Sequence, residues 1–186
     1  MKIAVVGGIG SGKSEVVKAA ESLGIACLSA DAINAALLTS PSYVYEIEKL
    51  FPSAVEKGAV NKKELARIVF NDETARAKLN ALAHPLVLKR IEQDARSPLV
   101  VELPLIFESG AEKLFDVIIA VVTPLENRIN RVVASRDMTR EEVLARINSQ
   151  VEEDRYLKAA NVVLENDGTL CDLRNKAKEV FESLCL

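Results

Sequence analysis

The fold is decided by one stretch near the start of the chain, Gly7-Gly8-Ile9-Gly10-Ser11-Gly12-Lys13-Ser14. The apolar run 3–6 precedes it, and residues 15–23 follow it with apolar side chains at helical spacing. This order of strand, glycine-rich loop and helix fits the phosphate-binding pattern G-x-x-x-x-G-K-[ST]. Glycines let backbone N–H groups turn toward a phosphate, and the following helix adds its positive N-terminal end. The alternative is a glycine-rich turn that merely links a strand to a helix.

The motif assigns a role to each part of the loop. The backbone of residues 8–14, from Gly8 to Ser14, is predicted to bind ATP. We expect Lys13 to reach the β- and γ-phosphates and the Ser14 hydroxyl to ligate Mg²⁺. The sequence therefore predicts ATP and Mg²⁺ as the ligands of this loop.

Composition excludes several classes of protein. The chain has 186 residues, of which 49% are hydrophobic and 27% charged, and its net charge is −3. These values are typical of a soluble globular protein and argue against broad binding to nucleic acid or an anionic membrane. We expect neither a signal peptide nor a membrane span. Cys27, Cys171 and Cys185 form no zinc pattern, so we expect reduced thiols and a cytoplasmic location.

Five short apolar runs predict the sheet. Most are continuous and rich in Val and Ile, which is typical of strands buried on both faces of a parallel sheet. Helical patterns lie between them, as parallel crossovers require. We therefore predict an α/β fold with a three-layer core and a five-stranded parallel sheet. The runs are residues 3–6, 25–28, 99–102, 117–122 and 162–164.

Residues 41–97 are too many for one crossover, and their apolar spacing predicts several helices. One helix is expected to start at Asn61, which has Glu64 three residues further on. A longer pattern over 74–94 contains Pro85, which predicts a kink or break near His84. We interpret this segment as a helical insert that binds a substrate; the alternative is an insert with no such role. His84, the only histidine, is either a substrate-pocket residue or structural.

Three carboxylates follow predicted strands or lie close to their ends. Asp31 comes just after the second run, at the sheet edge where ligands bind, and alternatively caps a helix starting at residue 32. Glu102 ends the third run, where P-loop enzymes place an acid that holds Mg²⁺ or its waters. Glu108 is either a substrate contact or an ordinary solvated cap.

A basic helical region predicts a lid. Arginines and acids alternate over residues 126–146, which is also typical of a solvated helix face with ion pairs. Planar arginine donors suit the charge that develops on a transferring phosphoryl group. Thr139 and Glu142 signal a new helix, so we expect Arg136 at the turn between two helices, where it can close on the phosphates. After the last run, Asn166 begins a turn that places a further loop at the ligand edge.

With these residues, the sequence resembles the dephospho-coenzyme A kinase family over nearly its whole length. The more specific segments are residues 79–86, LNALAHPL, and 104–108, PLIFE, in this order. Further matching segments are the P-loop, Ala30-Asp31, residues 136–141, Gln150 and Asn166-Asp167-Gly168. The sequence departs from the family at Ser29 and Asn161, where the family often has Asp.

The resemblance implies transfer of the γ-phosphoryl group of ATP to the 3′-hydroxyl of dephospho-coenzyme A. It implies that Asp31 contacts the acceptor hydroxyl and Arg136 is the lid arginine; with Lys13 these are the predicted catalytic residues. Predicted substrate contacts are Asp31, His84 and Glu108, and Asn166 is predicted to bind ATP. The predicted domains are a nucleotide-binding core (1–40, 98–127 and 158–186), an acceptor-binding insert (41–97) and a lid (128–157).

A P-loop also occurs in proteins of two other functional classes. A kinase of another small acceptor, such as a nucleoside monophosphate or shikimate, would use the same loop. A GTPase-type switch would need Asn-Lys-x-Asp after a late strand, whereas Asn61-Lys62-Lys63 is followed by Glu64 inside the insert. We expect ATP and dephospho-coenzyme A as the partners, no nucleic acid or membrane, and a monomer or weak homo-oligomer.

Overall fold

Five parallel strands form the central sheet, in the order β2-β5-β1-β6-β7. The computed structural model describes residues 1–104, 106–107, 109–136, 138–150 and 153–184. In chain order the strands are β1 (Lys2–Val6), β2 (Ala26–Ser29), β3 (Val55–Glu56), β4 (Ala59–Val60), β5 (Leu99–Glu102), β6 (Val117–Val122) and β7 (Val162–Glu165). Each sheet strand begins and ends within one residue of a predicted run, so the predicted parallel sheet is confirmed.

The helices lie between these strands, as parallel crossovers require. In the described part of the chain they are α1 (Lys13–Ser22), α2 (Ala30–Leu37), α3 (Pro41–Leu50), α4 (Lys62–Asn71), α5 (Glu73–Glu92), α6 (Leu125–Ser135), α7 (Arg140–Asn148), α8 (Glu153–Ala159) and α9 (Leu170–Ser183). Among the described residues, no helix is both long and apolar enough to cross a membrane.

The main core lies between the sheet and two helices, α1 and α9. Ile3 and Val5 of β1 face this layer, together with Val16 of α1 and Phe181 of α9, and all four side chains are fully buried. Ala4, between the two β1 residues, is equally buried although it points to the opposite face. Burial on both faces explains why the strands are continuous apolar runs, and it confirms the three-layer α/β class.

Residues 30–94 form a compact unit of their own, and the remainder of the chain forms the other. The core of the 30–94 unit joins Tyr43 and Ile47 of α3 to Leu65 of α4 and Ala83 of α5. Helices α2 to α5 make up most of this unit, which begins and ends earlier in the chain than the predicted insert of residues 41–97. Its helix α4 begins as predicted, because the Asn61 side chain accepts a hydrogen bond from the Glu64 amide at 3.1 Å.

Two features of this unit differ from expectation. Strands β3 and β4 pair as a small antiparallel hairpin, whose turn residues Lys57 and Gly58 have φ values of 52° and 76°. Of the predicted kink or break near His84, the break is wrong, because α5 runs through Pro85 without interruption. Burial of Ala83 and Val87 on either side of the proline holds this helix together despite the missing N–H.

The thiol of Cys27 is predicted to be chemically protected. Cys27 packs against the main core, and burial together with the nearby Glu21 carboxylate raises its pKa to about 11. At pH 8 a thiol with that pKa is less than about 1% thiolate, whereas an ordinary thiol is roughly a quarter thiolate. We therefore expect iodoacetamide to modify Cys27 at least about a hundredfold more slowly than the exposed Cys171, as measured by peptide mass mapping. Equal rates in the native protein would contradict this; in urea the two rates should converge.

Candidate active site

The P-loop leaves β1 at the point where the strand order of the sheet reverses. Chain segments run from β1 to β2 on one side, and β6 lies on the other, so a crevice opens at the carboxyl end of β1. At Gly10 and Gly12 the φ angles are +76° and +106°, which favour glycine. A Cβ at Gly12 would also lie 2.5 Å from Nδ2 of Asn166. The loop conformation therefore requires glycine at both positions.

Helix α1 begins without a side-chain cap. Its N-cap residue is Gly12, whereas α4, α5, α7 and α9 each begin with a side chain that accepts a first-turn N–H. Gly12 has no side chain that could occupy the first amides of α1, and the positive end of the helix favours an anion there. The loop and the helix together fit a nucleotide phosphate group.

Three polar side chains predicted for the phosphate end lie at or beside the loop. The Lys13 ammonium is buried and donates to the carbonyl oxygens of Gly7 and Gly8 at 2.9 and 3.0 Å. Ser14 is exposed in the first turn of α1. Glu102 ends β5 in register with Val5 of β1, two residues before the loop. A hydroxyl and a carboxylate at this edge are oxygen ligands of the kind that Mg²⁺ prefers.

The Ser11 carbonyl is fixed by two side chains from distant parts of the chain. Thr123, just after β6, donates its hydroxyl to this oxygen at 2.9 Å, and Asn166, just after β7, donates Nδ2 at 2.8 Å. The Asn166 oxygen in turn accepts from Arg131 Nη2 at 3.2 Å. The buried side chain of Asn166 thus holds the loop. Its backbone N–H donates to the Val122 carbonyl at 2.8 Å and its carbonyl accepts from Arg131 Nη2 at 3.4 Å, so the predicted contact of Asn166 to ATP stays a prediction.

A cleft of about 740 Å³ begins at Gly7 and Gly8 and extends over the carboxyl ends of β6 and β7. This volume is in the range of small-molecule and cofactor sites. Arg128 of α6 lines it, with a guanidinium that is 8% exposed and lies 3.8 Å from a Glu153 carboxylate oxygen. Burial lowers the pKa of Arg128 below its usual value, and the Glu153 charge opposes that shift. A cationic side chain therefore lies at the junction of the P-loop and the cleft.

The other predicted residues are distributed as follows. Arg136 is exposed and directly follows α6. Helix α7 starts four residues later with the predicted Thr139–Glu142 capping box. The predicted place of Arg136 between two helices is therefore confirmed. Asp31 and His84 belong to the 30–94 unit, in α2 and α5. Helix α2 begins at Ala30, so Asp31 lies in its first turn and does not cap a helix starting at residue 32. Glu108 lies outside the described residues.

Thr123 and Arg128 were not individually predicted to hold the loop. Thr123 stands alone after an apolar run, and Arg128 is one of several arginines in a charged helix. Only the order of the strands places both beside the P-loop. The boundary predicted for the lid, between residues 127 and 128, falls inside α6.

The departure at Asn161 has a structural explanation. Its side-chain oxygen accepts the Ile118 amide at 2.8 Å, and its own amide donates to the Ile118 carbonyl at 2.9 Å. An aspartate at this position would supply the same acceptor. Asn161 therefore extends the pairing of β6 with β7. Either a carboxylate oxygen or an amide oxygen at this position can accept the Ile118 amide.

This parallel sheet and loop define the three-layer α/β fold of P-loop kinases. The fold is shared with shikimate kinase from Acinetobacter baumannii, which has a TM-score of 0.61 at 16% identity and aligns with 99% of this chain and 92% of its own. A family model described as dephospho-CoA kinase matches residues 1–172. The chain belongs to the dephospho-CoA kinase family.

Similar proteins agree with this assignment. A dephospho-CoA kinase of Thermus thermophilus is 39% identical over 186 aligned residues, with 98% of this chain and 91% of that protein covered. The enzyme of that name from Deinococcus radiodurans is 35% identical over 190 residues, with 98% and 92% covered. A solved structure of dephospho-CoA kinase from Campylobacter jejuni has a TM-score of 0.71 at 30% identity, and the alignment covers 99% of this chain and 98% of that chain.

Proposed function

We propose that the protein transfers the γ-phosphoryl group of ATP to the 3′-hydroxyl of dephospho-coenzyme A, which gives coenzyme A and ADP. The observation that carries the proposal is a complete P-loop, with an uncapped α1 and a buried Lys13, in a chain of the dephospho-CoA kinase family. The loop supports the donor half of the reaction. Family membership supports the acceptor half.

The P-loop holds the donor phosphates. Backbone N–H groups at the start of α1 bind phosphate oxygens, and Lys13 exchanges its bonds to the Gly7 and Gly8 carbonyls for the β- and γ-phosphates. Ser14, with Glu102 at the adjacent strand end, would hold Mg²⁺. When bound, that ion neutralises charge on the phosphate oxygens.

Asp31 accepts or orients the proton of the 3′-hydroxyl. A new bond forms between the acceptor oxygen and the γ-phosphorus, the bond from γ-phosphorus to the bridging oxygen breaks, and ADP leaves with that electron pair. Because the transition state is loose, positioning and electrostatic stabilisation outweigh the strength of the base. Arg136 stabilises the charge on the transferring group from the lid.

The other predicted residues and segments bind the acceptor or form the lid. The insert of residues 41–97 binds the coenzyme A precursor, with His84 as a contact, and Glu108 contributes a further contact. The segment 128–157 acts as the lid, which excludes water and suppresses hydrolysis of ATP. A cytoplasmic location and a monomeric or weakly oligomeric state remain predictions from the sequence.

Mass spectrometry of the acceptor tests the reaction. Dephospho-coenzyme A incubated with the purified protein, ATP and Mg²⁺ is expected to gain one phosphate, and ³¹P NMR of the product is expected to show a 3′-phosphomonoester. Parallel reactions with shikimate and with AMP are expected to give no product. Phosphorylation of either compound at the greater rate, or an unchanged dephospho-coenzyme A, would overturn the proposal.

A further inference from the structure

Both peptide groups of Ile9, in the middle of the P-loop, are held by side chains from the distant α6–α7 region. The Ile9 N–H donates to Oε1 of Gln150 at 2.9 Å. The Ile9 carbonyl accepts from Nε of Arg128, also at 2.9 Å. The two partners lie 141 and 119 residues away along the chain, so these bonds exist only because the fold brings them together.

The side chain of Ile9 is held by the same region. It is 7% exposed and packs with Ile129 and Val132 of α6 and with Val143 of α7. Val143 is itself fully buried. The motif places no demand on the residue type at this position, so this packing is an addition of this chain to the general loop. Helix α7 is thereby packed against Ile9 of the P-loop, and Gln150, two residues beyond the helix, adds a hydrogen bond.

The bond to Gln150 divides the N–H groups of the loop into two sets. The Ile9 amide donates to Gln150, and the Ser11 amide donates to the Gly8 carbonyl at 3.2 Å. For the Gly10 amide the described residues offer no acceptor. Holding Ile9 therefore fixes the peptide group that directly precedes the Gly10 N–H.

We propose that Gln150 is a positioning residue, which sets the phosphate-binding shape of the P-loop by accepting the Ile9 amide, with Arg128 fixing the carbonyl side. Gln150 lies two residues beyond α7, and Arg136 lies four residues before it. The same helix therefore connects the lid arginine to the loop, and a firm hold on the nucleotide requires α7 in its docked position. The inference depends on the proposed function only for the identity of the nucleotide.

Hydrogen exchange at single amides, followed by NMR without any substrate, tests the contact directly. In the unmodified protein the Ile9 amide should exchange more slowly than that of Gly10. Q150M keeps the length of the side chain and removes the acceptor, so Ile9 should exchange about threefold to tenfold faster. The dissociation constant for ADP, measured by calorimetry, and the KM for ATP should each rise about fivefold.

Two further variants separate positioning from general stability. Q150E keeps an oxygen acceptor, so its Ile9 amide should remain as protected as in the unmodified protein. S149A changes the adjacent exposed residue, whose hydroxyl bonds only the Arg146 carbonyl among the described residues, so exchange at Ile9 and ADP binding should stay unchanged. Unchanged Ile9 exchange in Q150M, or equal loss in Q150E, would overturn the inference. Because exchange is measured without substrate, this outcome is independent of whether dephospho-coenzyme A is the acceptor.

Discussion

Replacing Lys13 with methionine is expected to lower kcat/KM for phosphoryl transfer about a thousandfold. The ammonium is the cation of the motif that reaches the transferring phosphoryl group, and removing one preorganised donor from such a site costs about 10²- to 10³-fold in rate. Lys13 also carries a full charge in a buried position, which places the effect at the upper end of that range. Steady-state kinetics with ATP and dephospho-coenzyme A measures it.

The matched control for K13M is K18M, on the same helix. Lys18 is exposed and bonds only Glu15 among the described residues, at 2.8 Å, and surface pairs of this kind contribute about 0 to 1 kcal/mol. K18M should therefore keep the unmodified rate. K13M leaves the Gly7 and Gly8 carbonyls without the ammonium donor and should lower the free energy of unfolding by about 1 to 3 kcal/mol, so both variants are assayed well below their melting temperatures. A K13M rate within threefold of the unmodified protein would refute the proposed role.

Replacing Asp31 with asparagine is expected to lower kcat about a hundredfold while ATP binding is retained. Asparagine keeps the shape of the side chain and removes its ability to take a proton, and general base assistance contributes about 10²- to 10⁴-fold. Because the transition state is loose, the effect should lie at the lower end of this range. Asp31 is exposed in the first turn of α2, so the change should leave the fold intact.

E48Q is the matched control for D31N within the same unit. Glu48 is an exposed acid of α3, and removing its charge should change neither kcat nor the KM for either substrate. Calorimetry with ATP should give the same dissociation constant for D31N, E48Q and the unmodified protein. If D31N turns over at the unmodified rate, Asp31 takes no part in the reaction. If D31N loses ATP binding, Asp31 acts on the phosphoryl donor instead of the acceptor.

Local signals in the sequence were sufficient for the sheet and for several helix starts. The runs 99–102 and 117–122 became strands without a change of boundary, because short continuous apolar runs rich in Val and Ile are typical of strands buried on both faces of a sheet. The capping signals at Asn61 and Thr139 worked because a cap is a contact within one turn of the chain. Asp31, by contrast, could be placed at a helix start but not assigned a function from its position.

Two features of the 30–94 unit were not predicted from the sequence. Pro85 is a local helix breaker, yet burial of Ala83 and Val87 keeps α5 continuous. The strands β3 and β4 have two residues each, which is too short for an alternating apolar pattern to be recognised in the sequence. Their Lys57-Gly58 turn has the positive φ angles that two-residue hairpin turns use.

The sequence by itself determined the phosphate site, because a strand, eight loop residues and a helix N-terminus are contiguous and their geometry is local. Tertiary structure alone decided what holds that site in shape. Thr123 and Asn166 fix the Ser11 carbonyl, and Gln150 and Arg128 fix Ile9, from positions more than 100 residues away along the chain. The physical reason is that the side chains that can hydrogen-bond to the loop backbone depend on which strands lie next to each other in the sheet. That order places β6 beside β1 and β7 beside β6, and no spacing in the sequence encodes it.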